Sequence, residues 1–171
     1  MPGENHWYAL RVRPRYERQV AQSVESKGVK VFLPVYRARR RWSDRVKELE
    51  LPLFDGYVFC QADLSAKLPI LTTPGVIQFV GIGKTPVPVE PSEIEAVQKL
   101  VNAGTPAKPW PFLRDGDRVR VDEGPLRSVE GILLSTERDD HLVVSVTLLQ
   151  RSVAVRVQRE WVTPLRSWLR N

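Results

Sequence analysis

The residue types that most often carry catalysis are scarce in this chain and badly spaced. Its two histidines, His6 and His141, stand far apart, and Cys60 is the only cysteine, so no His or Cys pair has the spacing of a metal site. Cys60 lies in the apolar run Tyr57-Val58-Phe59-Cys60-Gln61, where burial raises a thiol's pKa and leaves it a poor nucleophile. The segment Gly81-Ile82-Gly83-Lys84-Thr85 lacks the four-residue spacer of a phosphate-binding loop and runs into Pro86. It reads as a strand-ending turn. Metal-assisted, nucleophilic and phosphate-loop chemistry are all poorly supplied. The chain is expected to be no enzyme and to need neither cofactor nor metal.

Positive charge is well supplied. The chain has 26 Lys and Arg against 20 Asp and Glu, and between positions 11 and 47 twelve basic residues face only Glu17, Glu25 and Asp44. Arg37, Arg39, Arg40 and Arg41 fall within five positions, too many for Glu48 and Glu50 to balance. Together with Arg11, Arg13, Arg15 and Arg18 they form a candidate nucleic-acid-binding set, making phosphate contacts that position without specifying sequence. The plainer reading is a solvated hairpin face paired with nearby carboxylates. From Leu113 onward ten Arg meet nine carboxylates, a near-neutral balance that suits a protein partner. A single cysteine excludes an internal disulfide. With no signal-like leader and no long apolar run, the expectation is a cytoplasmic monomer without membrane attachment.

The elements that must position these residues follow from periodicity. Tyr8, Leu10 and Val12 alternate with Ala9, Arg11 and Arg13, the pattern of a strand buried on one face. Pro14 then opens a helix whose Tyr16, Val20 and Val24 recur every four residues until Gly28. Residues 30–42 read as a strand with an edge or bulge at Pro34, and 47–61 as a partner with a bend at Asp55-Gly56. A short helix near 64–71, a strand from Val76 to Ile82, and a helix over 92–103 with the stripe Ile94, Val97, Leu100, Val101 complete the order β-α-β-β-α-β-α. That order predicts an α+β sandwich of ferredoxin type. The proline-rich stretch before Leu113 reads as a linker over 106–112, between domains 1–105 and 113–171. Beyond it, short strands at about ten-residue spacing predict a small β-barrel, with helix only in the last few residues.

Three local patterns, WYALRVRPRYE, LFDGYVF and GVIQFVG followed by a helix, resemble the N-terminal (NGN) domain of the NusG-type transcription factors. Downstream, Gly116-Asp117-Arg118-Val119-Arg120-Val121, Gly124-Pro125 and Gly131 resemble a KOW module, an SH3-like barrel. The long RARRRWSDRVKELEL arm looks more like specialised paralogues such as the UpxY-like group. The segment 126–130 departs from the phenylalanine and small residue usual in general factors.

The resemblance implies an elongation and antitermination factor that docks on the clamp helices of the largest RNA polymerase subunit. Its arginines would meet the non-template DNA or the upstream duplex, and its barrel would recruit a small-subunit ribosomal protein or the Rho terminator. A ribosome-associated or RNA-binding KOW protein is the alternative. The polymerase-pocket candidates are Tyr8, Phe54, Tyr57, Phe59 and Phe79. Phe59 and Phe79 read more readily as core, and Phe54, beside the bend, is the leading site residue. The barrel's partner candidates are Leu126, Val129, Ile132 and Leu133, Leu126 foremost. Trp42, Trp110, Trp161 and Trp168 are read as packing or anchoring residues and are assigned no ligand.

Overall fold

Strand β1 (His6–Val12) buries Tyr8, Leu10 and Val12 on one face, as its alternation requires. In the computed structural model, which describes residues 3–165, β1 lies between two antiparallel neighbours, β5 (Tyr57–Ala62) and β6 (Val76–Phe79). Strand β2 (Lys30–Phe32) pairs with the other side of β5, so the sheet order is β2-β5-β1-β6. Tyr8 stands opposite Cys60, and Leu10 opposite both Val58 and Phe79. Onto this face helix α1 (Glu17–Ser26) lays Val20 and Val24, and the short helix α2 (Lys67–Leu71) adds Ile70. Each such aliphatic side chain contributes about 1.5–3 kcal/mol when fully buried. The expected C-terminal stop of α1 is met at Gly28, with φ +85°.

The start of α1 is tied to the sheet by one buried carboxylate. Glu17 Oε1 accepts the backbone N–H of Arg15 (3.4 Å) and of Gly56 (3.3 Å), joining the first turn of α1 to the Asp55-Gly56 bend. Its charge also suits the positive end of the helix.

The strand expected over 30–42 is two strands. Pro34 has no N–H for a ladder, so β2 ends before it and β3 (Val35–Trp42) leaves the sheet to form a separate hairpin with β4 (Arg45–Pro52). Pro34 keeps its acceptor role: its carbonyl takes the Leu53 N–H at 2.9 Å. The strand expected through Ile82 also breaks, because after Val80 the chain makes a small hairpin, β7 (Gly81–Ile82) with β8 (Thr85–Pro86). That hairpin is the turn read at Gly83-Lys84. Helix α3 (Pro91–Asn102) buries Ile94, Val97 and Leu100 and half-buries Val101, the stripe read from the sequence.

The chain divides into two compact units between Ile94 and Glu95. The second holds an antiparallel sheet of β9 (Ala107–Trp110), β10 (Asp117–Val121), β11 (Glu130–Ser135), β12 (Asp140–Val146), β13 (Arg151–Arg156) and β14 (Val162–Pro164), in the order β14-β10-β11-β12-β13-β9. The segment 106–112, expected to be a linker, is therefore largely an edge strand. Ala107 to Trp110 pair with Val155 to Ser152, and Pro109 is tolerated because an edge strand has one unpaired side. Trp110 and Leu113 pack over Ile132, Val143 and Ala154. Ser152 Oγ accepts the Leu113 N–H (3.1 Å) and Ser145 Oγ donates to the Leu113 carbonyl (3.0 Å). With Ser145's proton committed there, Ser152 donates in the 2.6 Å contact between the two hydroxyls. The helix expected at the C-terminus, and Trp168, lie outside the described residues.

Candidate docking and nucleic-acid surfaces

Of the five aromatic residues read as a pocket, four are interior. Tyr8 and Phe79 meet edge to face, ring centres 5.8 Å apart, on the side of the sheet covered by α1 and α2. Phe54 and Phe59 meet edge to face at 5.5 Å, and Phe59 stacks on Phe32 at 6.1 Å, on the opposite side of the sheet. The expectation of an exposed Phe54 is corrected: it is 1 % exposed. The bend suggested a surface position, but hydrogen bonds on both sides of it, Leu53 N–H to Pro34 O and Tyr57 N–H to Phe54 O, fold the segment inward. Tyr57 alone of the five reaches the surface, half-buried opposite Arg11. Burial pushes the Tyr8 phenol above its ordinary value and the Cys60 thiol up to about 12.

Trp42, read as a packing or anchoring residue, is instead exposed, and three further exposed apolar side chains on short elements were not read from the sequence. Leu68 on α2 is 70 % exposed, Ile77 on β6 51 % and Ile82 on β7 79 %. Elements of five, four and two residues are too short for periodicity to separate an inner from an outer face.

The eight arginines do not form one patch. Arg11, Arg13, Arg15 and Arg18 are exposed around the β1–α1 turn, where Arg15 holds φ +72°. Arg18 Nη2 lies 2.7 Å from Glu50 Oε2, and this hydrogen bond, with the charges of Arg18 and Arg37, holds the Glu50 carboxyl below its ordinary value. The hairpin register places Arg37 opposite Glu50, Arg39 opposite Glu48 and Arg41 opposite Val46 on one face. Arg39 Nε sits 3.6 Å from Glu48 Oε1. The opposite face carries Arg40, across from Lys47. Arg18 and Arg39 are thus paired with carboxylates at the exposed surface, and Arg37 stands across from Glu50.

In the second unit, three of the four partner candidates, Leu126, Val129 and Ile132, are buried and Leu133 is half-buried. A unit of this size needs its few apolar side chains inside. Leu126 nevertheless walls a pocket of about 350 Å³ together with Val121, Pro125, Asp140, Arg156 and Trp161. Gly124 lies directly against the Trp161 ring at φ +82°, so no side chain fits there. Beside it, a hydrogen bond from the Thr163 hydroxyl holds the Asp122 carboxyl below its ordinary value. Among the described residues no group of three His, Cys, Asp or Glu stands together as a metal site, and no helix is long and apolar enough to cross a membrane.

The family model described as "Transcription termination factor nusG" matches residues 5–98, more than half of the chain and all of the first sheet. The chain belongs to the NusG family. Its similarity to characterised NusG proteins runs through both units. The transcription termination/antitermination protein NusG of Borreliella burgdorferi is 27 % identical over 172 residues, covering 88 % of this chain and 94 % of that protein. The protein of the same name from Thermus thermophilus is 28 % identical, with the same coverage of each. Among solved structures, that of Thermotoga maritima NusG, described for its domain interaction, superposes with a TM-score of 0.57 at 26 % identity, covering 95 % of this chain and 98 % of that one. The mixed α/β architecture, mostly strands with few helices, is that of a NusG protein.

Proposed function

We propose that this NusG-family transcription factor is a non-catalytic adaptor in the cytoplasm that binds RNA polymerase and favours elongation and antitermination. The observation that carries the reading is the family match over residues 5–98 joined to a second, mostly stranded unit, in a chain that is similar to Thermotoga maritima NusG over 95 % of its length. The strand order β2-β5-β1-β6 with two helices on one face fits an NGN-type ferredoxin-like sandwich. The six-stranded antiparallel sheet with its Gly124-Pro125 turn fits an SH3-like KOW barrel. The first unit docks on the clamp helices of the largest polymerase subunit. Tyr57 is its surface contact, and the buried Phe54 and Phe59 shape the segment that presents it. Exposed arginines around β1, α1 and the β3–β4 hairpin face the non-template strand or upstream duplex. The pocket walled by Leu126 and Trp161 takes a protein partner, a small-subunit ribosomal protein or Rho.

The test is capture of core RNA polymerase by the full chain, wild type against Tyr57→Ala. Binding by wild type and a clear loss in the variant, with circular dichroism unchanged, is the expected result. Failure of the wild type to capture polymerase, with ribosomes or free RNA bound instead, would overturn the reading.

A further inference from the structure

The tip of the β3–β4 hairpin carries an arrangement that the fold does not use. Directly opposed residues of an antiparallel pair share a face, as do residues two apart along a strand. The register Arg40↔Lys47 and Trp42↔Arg45 therefore gathers Arg40, Trp42, Arg45 and Lys47 on one face of the tip. All four are exposed, Trp42 by 55 %. Among the described residues none of the three cations has an ion pair, and Trp42 makes no ring contact with another aromatic or with a cation. The nearby carboxylates Glu48 and Glu50 are on the other face, engaged with Arg39 and Arg18, and Asp44 lies in the turn.

Two features of this face weaken an isolated hairpin. Like charges placed directly opposite repel, and Arg40 faces Lys47. An indole more than half exposed gives up most of the gain that usually comes from burying one. A partner that is anionic along its length and offers flat apolar rings relieves both. An intact duplex keeps its rings stacked on one another, so the match is a single strand.

We propose that Arg40, Trp42, Arg45 and Lys47 form a single-stranded DNA site, in which a base stacks on Trp42 and the three cations hold the flanking phosphates. The assignment rests on the reading that the arm meets nucleic acid. It differs in naming which face does so: the Arg37 and Arg39 face, which has Glu50 and Glu48 opposite, is the secondary one.

The test is fluorescence anisotropy of the full chain with a labelled mixed-sequence single strand, and with the matching duplex, across a salt titration. Trp42→Ala should weaken single-strand binding by roughly five- to a hundredfold, the range of one base–aromatic stack. Trp42→Phe should recover most of that loss, and duplex affinity should barely move. The double variant Arg40→Gln, Lys47→Gln should flatten the salt dependence by about 1.4 in log–log slope, about 0.7 for each cation withdrawn from a single-strand phosphate. Arg37→Gln with Arg39→Gln should flatten it less. Wild type that binds the single strand while Trp42→Ala binds equally well would overturn this face but leave the nucleic-acid reading standing. Wild type that binds neither DNA would overturn both.

Discussion

Replacing Phe54 by alanine should damage the fold of the first unit. The ring is 1 % exposed and meets Phe59 edge to face at 5.5 Å. Phe59 is itself fully buried and stacks on Phe32. Truncation therefore empties one member of a connected aromatic group, and a buried Phe→Ala change costs about 3–5 kcal/mol. The edge-to-face contact, worth about 0.5–1.5 kcal/mol beyond area burial, puts the expected loss near the middle of that range or above. Against a total stability of about 5–15 kcal/mol, the unit stays folded but greatly weakened. At about 4–8 °C per kcal/mol for a unit of this size, the melting temperature falls by on the order of 20 °C. Hydrogen exchange followed by mass spectrometry on peptides covering β1 and β5 isolates this unit from the second one. The slowest amides there should exchange about a thousandfold faster. Unchanged protection would refute the argument, since it would mean that the ring is not part of the core. Loss of polymerase binding in Phe54→Ala therefore reports on the fold, whereas Tyr57→Ala reports on the surface.

Other perturbations test separate links of the same reasoning. Gly75→Ala should lower stability by about 2 kcal/mol in urea titration: the backbone holds φ +95°, and an added Cβ would lie 2.8 Å from Tyr16 Cδ1 and 2.9 Å from Val20 Cγ2. Cys60, its thiol pushed up to about 12 by burial, should resist alkylation at pH 8 in the native protein and react fully in denaturant. Because its pKa is raised in the folded state, its contribution to stability is complete below the ordinary value of 9.0 and is lost as the pH climbs toward about 12. Comparing the alkaline slope with that of Cys60→Ala checks this. Ser152→Ala leaves the Leu113 N–H without its acceptor and should cost about 1–3 kcal/mol, read as faster exchange of the Leu113 amide and of β9.

Much of this molecule is local and therefore legible. Tyr8, Leu10 and Val12 alternate because every second residue of β1 turns to the side covered by α1 and α2, and Ile94, Val97 and Leu100 recur because α3 has one buried face. Each pattern needs only its own few residues and the geometry of one element. The clustering of positive charge before position 48 is likewise a property of composition alone. The strands of the second unit were legible where Val and Ile alternate, and not where the chain reads Ala107-Lys108-Pro109-Trp110. Those residues become a strand because β13 offers them an edge.

What the tertiary structure alone decided is which side of each element meets a neighbour. Phe54 and Tyr57 are three residues apart in one segment, yet one is interior and the other reaches solvent, because Pro34 O and Phe54 O take the local N–H groups and turn the chain. Arg39 and Arg40 are adjacent in sequence, yet one faces Glu48 and the other faces Lys47, because pairing register sets the partner of each side chain. A sequence specifies the period of an element and the sum of its charges. Burial and charge pairing depend on atoms brought in from elsewhere in the chain, and so emerge only when the elements pack.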